Sequence, residues 1–264
     1  MNIFFRELRA NFKSLLIWSF IVILFNVMGF SKFSAYYINP SMLKVLDALP
    51  PAMLEAFSMS AFNLTTLSGF FGIMITYFAL ILSIAAAMWG SDIISKEERN
   101  KTVEFSLSLP VTRTKLITAK TLVVVFNSII LVLITWGITL VSARQYNPDS
   151  AFNHFVALGV LTFFIQQMIF VAIGVFLGCA VKQHKLAGSL AISTILTAYF
   201  FSILAGLDKS MEFLKYFSPF KYFDPSLLLH ESRIELPYVW LSLGIIVVAM
   251  AGAYLTYQKR DLYI

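Results

Sequence analysis

Charge is scarce in this chain. Only 13% of its 264 residues are Asp, Glu, Lys or Arg, where ordinary soluble domains carry about a quarter. Hydrophobic residues make up 59%, with 26 Phe and 11 Tyr. That balance excludes a freely soluble domain and implies an integral membrane protein. Cysteine is nearly absent: Cys179 stands alone inside an apolar run, which excludes an intrachain disulfide and suits a small packing residue. No G-x-x-x-x-G-K-[ST] occurs, so the chain has no P-loop with which to hold a nucleotide. His154, His184 and His230 are far apart at run ends or in loops, and no H-E-x-x-H occurs; neither a metal site nor a zinc protease follows from them. The apolar runs also lack Asp, Glu, Lys and Arg at their centres. Proton- and ion-coupled carriers bury such groups along their pathway, and an intramembrane aspartyl protease needs a pair of them. The chain is therefore expected to be no enzyme and to bind no metal or cofactor itself.

What is present is six apolar runs, at about 14–30, 70–89, 116–141, 155–181, 186–205 and 238–257. Each is near the ~20 residues that a bilayer requires. Residues 1–13 place Ile3, Phe4, Phe5, Leu8 and Phe12 among Arg6, Arg9 and Lys13, the composition of a helix lying in the membrane interface. A signal peptide is the rival. The apolar run after it is long for a signal core and no clean small-x-small cleavage site follows, so it reads as a retained first span. Outer segments are expected at 31–66, where Pro50-Pro51 separates two short amphipathic helices, and at 206–236, where Pro219 and Pro225 stand among aromatics. The stretch 215–225 is expected to fold back at the outer interface and cap the exit.

The net charge of +6 invites a nucleic-acid partner. Its placement argues otherwise. With the stretch between the second and third runs inside the cell, the inner segments hold thirteen Lys and Arg and the outer ones seven. This is the positive-inside asymmetry of a plasma-membrane protein with both termini cytoplasmic. No basic face with an aromatic platform exists for a nucleic acid strand.

The chain is organised around the polar stretch SKEERNKTVEFSLSLPVTRTKLITAK, residues 95–120. Ser95 with Glu98 reads as a capping box that starts a helix. Pro110 ends it, and Thr112 can cap the helix that follows. Val103 and Leu107 fall on one side of the first helix, Phe105 and Leu109 nearly opposite, with a strip of Glu97, Lys101, Glu104 and Ser108 between. Two apolar sides suggest two partners: the chain's own spans and a second protein. A solvated connecting loop is the other reading.

This stretch resembles the segment between the second and third spans of ABC-transporter permeases of the type-two exporter class. The pattern is an acidic and basic lead-in (Glu98, Arg99), a Thr-x-Glu step (Thr102, Glu104), a Leu-Pro turn (Leu109, Pro110), then Thr112-Arg113 and Lys120. Lys101 stands where the pattern often has glycine. SPFKYFDP and the KRD end match more weakly, and the number of spans and the loop lengths agree along the whole chain. The resemblance implies that the elbow, residues 95–115, is a coupling helix seated in a groove of an ATPase subunit. Glu97, Glu98, Arg99, Lys101, Thr102, Glu104, Phe105, Leu109 and Arg113 are then its ATPase-coupling residues. It also implies two copies of an ABC ATPase subunit, which carry ATP and Mg, and a second permease subunit, identical or not, in the lipid bilayer.

Within the spans the polarity is mild and one-sided. Thr121, Ser128, Thr135 and Ser142 recur every seven residues on the third; Gln167, Gly174 and Gly178 share a face of the fourth, with Gln166 beside it; Ser189, Ser193 and Thr197 share a face of the fifth. Two readings stand. Small and hydroxyl residues, including the GxxxG at Gly174–Gly178, pack helices closely. Alternatively Ser128, Thr135, Gln166, Gln167, Ser193 and Thr197 line a substrate path. The expectation is thus an all-α integral membrane protein with six transmembrane helices, an N-terminal interfacial helix, a cytoplasmic coupling helix and outer helices between spans five and six. Its function would be the transmembrane subunit of an ABC exporter for an amphipathic or hydrophobic cargo such as a peptide, antibiotic or lipid-like molecule. The alternative is a membrane-anchored regulatory or sensor subunit that binds an ATPase without transporting.

Overall fold

A computed structural model of the chain describes residues 3–39, 41, 50, 54, 62–99, 112–181 and 183–260. The long helices are α1 (Ile3–Tyr36), α2 (Leu67–Arg99), α3 (Arg113–Ala143), α4 (Ser150–Ala180), α5 (His184–Leu207) and α7 (Leu236–Lys259). Between the last two lie 3-10 helices at Lys209–Phe217 and Pro219–Lys221 and a short α6 (Pro225–His230). Among the described residues no strand occurs, and six helices are long and apolar enough to cross a membrane. The all-α, six-span class expected from the apolar runs is the one observed. The two amphipathic helices expected around Pro50-Pro51 lie outside the described residues.

Two boundaries differ from the expectation. The N-terminal segment does not form a helix of its own, because α1 runs unbroken through Lys13. No proline or glycine interrupts residues 3–28, and the buried positions Glu7, Asn11, Leu15, Ser19, Val22, Asn26, Phe30 and Phe33 keep one stripe at helical spacing throughout. Likewise α2 does not stop near Trp89 but continues to Arg99, carried by Ile93 and Ile94, which are buried in the core.

The centre of the bundle is the pair α2–α4. Of the apolar stretch of α2, 67% is buried, against 11% for α7 at the periphery. Closeness here comes from glycine. A Cβ placed on Gly174 would meet the Ala87 carbonyl oxygen at 2.5 Å, and one on Gly90 would meet the Val171 carbonyl oxygen at 2.7 Å. Backbones approach to contact, as small-residue motifs allow in membranes. Around this pair, α7 packs on α4, α5 on α2 through Ala187, Ala191, Ile195 and Ala198, and α1 on α3. Outward faces stay apolar, as with Phe20 and Val248, the surface that lipid covers.

The segment between α5 and α7 folds back on the bundle. Asp208 starts it by accepting from the Ser210 N–H, which also holds its carboxyl below the ordinary carboxylate range. Ser218 donates to the Ala198 carbonyl at 2.6 Å. Tyr222 is buried, stacks on Tyr238 at 5.3 Å and donates to the Tyr216 carbonyl at 2.6 Å; burial pushes its phenol up to about 12. At the same end of the bundle Phe33, Phe70 and Tyr146 cluster, the Phe33 ring 4.8 Å from each of the other two.

The glycine contact sets a test. Gly174→Ala must push its Cβ against backbone that cannot rotate away, and overpacking of this kind costs about 1–3 kcal/mol. Gly137→Ala, with nothing within 4 Å of its Cβ, is expected to be neutral or slightly stabilising. Thermal unfolding of the two purified variants measures the contrast; equal melting temperatures would remove close α2–α4 approach as the organising contact.

Candidate functional site

The elbow is flanked by two helix ends that the chain ties down heavily. Ser95 does not cap a new helix: it lies inside α2, buried, and its hydroxyl donates to the Ser91 carbonyl four residues back at 2.8 Å. A mid-helix serine commonly spends its proton this way, so the expected Ser95–Glu98 capping box is not formed. On the far side Thr112 does cap, accepting from the Lys115 N–H at 3.3 Å. Lys101, Thr102, Glu104, Phe105 and Leu109 lie outside the described residues. Glu97, Glu98 and Arg99 end α2, with their side chains also outside the description.

Just inside these flanks sits an ionic cluster. Glu7 of α1 is only 3% exposed. It pairs with Lys96 in the last turn of α2 and accepts from Arg6 at 3.2 Å. Lys120 of α3 is 1% exposed, donates to the Ile93 carbonyl of α2 at 2.9 Å, and acts on the Glu7 carboxylate electrostatically. Lys96 at the end of α2 and Lys120 about two turns into α3, on either side of the elbow, are therefore drawn to a single carboxylate on α1.

Two arginines extend the ties. Arg113, expected among the ATPase-coupling residues, turns its guanidinium inward: Nη1 donates to the Tyr257, Gln258 and Arg260 carbonyls at 3.0, 3.2 and 2.7 Å. Arg260 in turn donates from Nη1 to the Gly178 and Cys179 carbonyls at 2.8 and 3.0 Å, and from Nη2 to the Val181 carbonyl at 2.9 Å. The C-terminal carbonyls of a helix have no partner within it and form the negative end of its dipole. Arg113 supplies donors to the end of α7, and Arg260 to the end of α4. The first turn of α3 is thus connected to two further spans.

The residues expected to line a path do not come together. Ser128, Thr135, Gln166 and Gln167 are buried among the spans of this one chain. Thr135 donates to the Leu131 carbonyl at 2.8 Å, Gln166 to the Ser83 hydroxyl at 3.3 Å and Gln167 to the Leu82 carbonyl at 3.4 Å. Ser193 and Thr197 instead lie exposed on the outer face of α5. Sequence reasoning missed Asn26, fully buried in α1, which donates to the Thr139 hydroxyl at 2.9 Å and accepts from Ser142 at 2.8 Å. The polar stripe Glu7, Asn11, Ser19, Asn26 at helical spacing was the signal for it and for the Glu7 cluster.

The family model described as ABC-2 family transporter protein matches residues 1–262, nearly the whole chain. The chain belongs to this family. No curated protein matches it significantly. ABC-2 permeases are membrane transport components that work with ABC ATPase subunits and are not themselves catalytic. In this ABC-2 permease, a multi-pass membrane protein, the polar stretch between α2 and α3 is anchored at both bases to α1, α7 and α4.

Glu7 is the negative centre of that anchorage. Glu7→Gln removes the charge that Lys96 and Lys120 share, and breaking a buried ion pair by one partner costs about 3–5 kcal/mol. The swapped pair Glu7→Lys with Lys96→Glu is expected to recover part of it, the sign of true coupling. Thermal unfolding of the ABC-2 permease with single and double substitutions reads this directly; additive losses would show that the two residues do not act as a pair.

Proposed function

We propose that this ABC-2 permease is the transmembrane subunit of an ATP-driven exporter that moves an amphipathic or hydrophobic molecule out of the cell. It works as a dimer of permeases, identical or paired with a sister chain, on two ATPase subunits that bind ATP and Mg. The permease contributes no cofactor site. The observation that carries the reading is the double anchorage of the elbow. Displacement of residues 100–111 by a closing ATPase enters α1 through Lys96 and Glu7, and enters α7 and α4 through Arg113 and Arg260. Spans moving together as packed rods are what switch an access pathway. The absence of charge at the span centres and the hydroxyl and amide groups that replace it favour a largely apolar cargo over a small ion.

In this reading the elbow's Phe105 is the aromatic anchor in the ATPase groove, with Glu97, Glu98, Arg99, Lys101, Thr102, Glu104 and Leu109 around it. Truncating such an anchor costs about 2 kcal/mol. Phe105→Ala is expected to weaken co-purification of the ATPase about thirtyfold while the permease stays folded, and to reduce export by reconstituted vesicles. Of two cargo panels, amphiphiles should stimulate ATP hydrolysis by the complex. Stimulation by an inorganic ion alone, or wild-type binding by Phe105→Ala, would overturn the exporter or the docking reading respectively.

The orientation belongs to the same reading: elbow and both termini cytoplasmic, residues 206–236 outside the plasma membrane. In a Cys179→Ser background, a cysteine at Lys215 is expected to react with an impermeant thiol reagent in intact cells, and one at Glu97 only after lysis. The reverse pattern would invert the topology.

A further inference from the structure

The outward side of α1 at the elbow end carries positive charge that nothing near it in the chain answers. At 100° per residue Phe5, Arg9, Lys13, Leu16 and Phe20 fall within one sector of the helix, away from the buried stripe that holds Glu7 and Asn11. All five are exposed. Arg9 and Lys13 are four residues apart, and like charges so placed on a helix repel. Among the described residues neither makes an ion pair or a hydrogen bond. No carboxylate on the neighbouring helix relieves them. Glu7 is the one acidic residue of α1, and α3, which packs beside it, has none. Glu7 itself is buried on the other side and occupied by Lys96 and Arg6.

The surroundings of the pair are shaped and apolar. Arg9, with Phe5, Leu8 and Phe12, borders a hollow of about 740 Å³, within the size of pockets that hold small molecules. One side of the hollow is fixed to the bundle: the Phe5 ring meets Phe4 edge-on at 5.5 Å, and Phe4 meets Phe126 of α3 at 6.1 Å. Beyond Lys13, α1 carries no charge until Lys32. The pair therefore stands where the helix enters the apolar layer, the depth at which long basic side chains reach for headgroups. From Lys13 to Phe20 is about 10 Å of helix, so the same face passes from cationic to purely apolar within the first part of an acyl chain.

We propose that this face binds an anionic phospholipid in the leaflet at the elbow end. The phosphate lies between Arg9 and Lys13, where the guanidinium fork matches its oxygens, and the hollow takes the rest of the headgroup. An acyl chain runs along Leu16 and Phe20. The bound anion relieves the repulsion of the two cations, and basic residues at a membrane surface gain most from anionic lipid. Lipid and carboxylate then hold the same turns of α1 from different sides, the phosphate outside and the Glu7–Lys96 tie within. The site needs neither ATPase nor cargo, so it stands apart from the export reading.

The test titrates the full-length permease, stripped of lipid in detergent, with phosphatidylglycerol and with phosphatidylcholine of the same acyl chains, and counts bound lipid by native mass spectrometry. Phosphatidylglycerol is expected to bind at least tenfold more tightly than phosphatidylcholine. The double substitution Arg9→Gln with Lys13→Gln should abolish that preference. It should leave the melting temperature of the lipid-free protein unchanged, because neither side chain has a polar partner in the chain. Lys259→Gln removes an equally exposed charge from the same end of the bundle, on α7, and should keep the preference. Inorganic phosphate has the charge without the chains and should not displace the lipid. Equal binding of the two lipids by the parent protein, as when a second protein chain covers this face, would overturn the site. So would a preference that survives the double substitution, or one that Lys259→Gln reduces as much. Displacement by inorganic phosphate would overturn a lipid as the occupant.

Discussion

A polar group inside an apolar bundle in lipid must find its partner within the protein, because no water is there to supply one. Nearly every unusual feature of this permease follows from that constraint. Asn26 reaches two hydroxyls on α3. Gln166 and Gln167 turn to α2. The charges that do enter the bundle, on Glu7, Lys120 and Arg260, sit at one end of it and are each held by an opposite charge or by helix carbonyls. The bundle is therefore stitched by specific polar contacts as well as by shape, and the stitches concentrate where the chain leaves the apolar layer.

That concentration gives the two ends of the molecule different characters. At the end bearing Phe33, Tyr146 and Tyr222, contacts are aromatic and diffuse, and the chain folds back to cover itself. At the elbow end, contacts are ionic and pointwise: one carboxylate, two lysines and two arginines join α1, α2, α3, α4 and α7. Point contacts of this kind have few intermediate geometries. An element held by them moves with its neighbours or lets go of them, whereas aromatic packing yields gradually.

Much of the fold was legible before any coordinates. Six apolar runs of bilayer length, each bounded by polar residues, leave little freedom in class or span number. The small residues Gly174 and Gly178 announced a close helix contact, and the partner turned out to be α2, where Ala87 and Ser91 receive them. Helix ends were harder. Ser95 has the residue type and spacing of a cap, but buried Ile93 and Ile94 carry the helix past it, and tertiary burial outweighed the local signal. The N-terminal segment misled similarly: its basic residues suggested the interface, while Glu7 and Asn11 on the opposite stripe faced the core. Arg113 could be recognised by its motif position, but nothing in a linear sequence says that its guanidinium meets carbonyls some 145 residues later.

The arginine ties have a temporal side. Gly178 and its neighbours at the end of α4 take their donors from Arg260, 82 residues further along the chain, and α3 meets α7 across 147 residues. A polypeptide is made and inserted from its first residue onward. The carbonyls at the end of α4 therefore lack their arginine donors while α5, the folded-back segment and α7 are still being laid down. The arginine ties of the second flank therefore lock from the tail, while the Glu7–Lys96 tie of the first flank needs only α1 and α2.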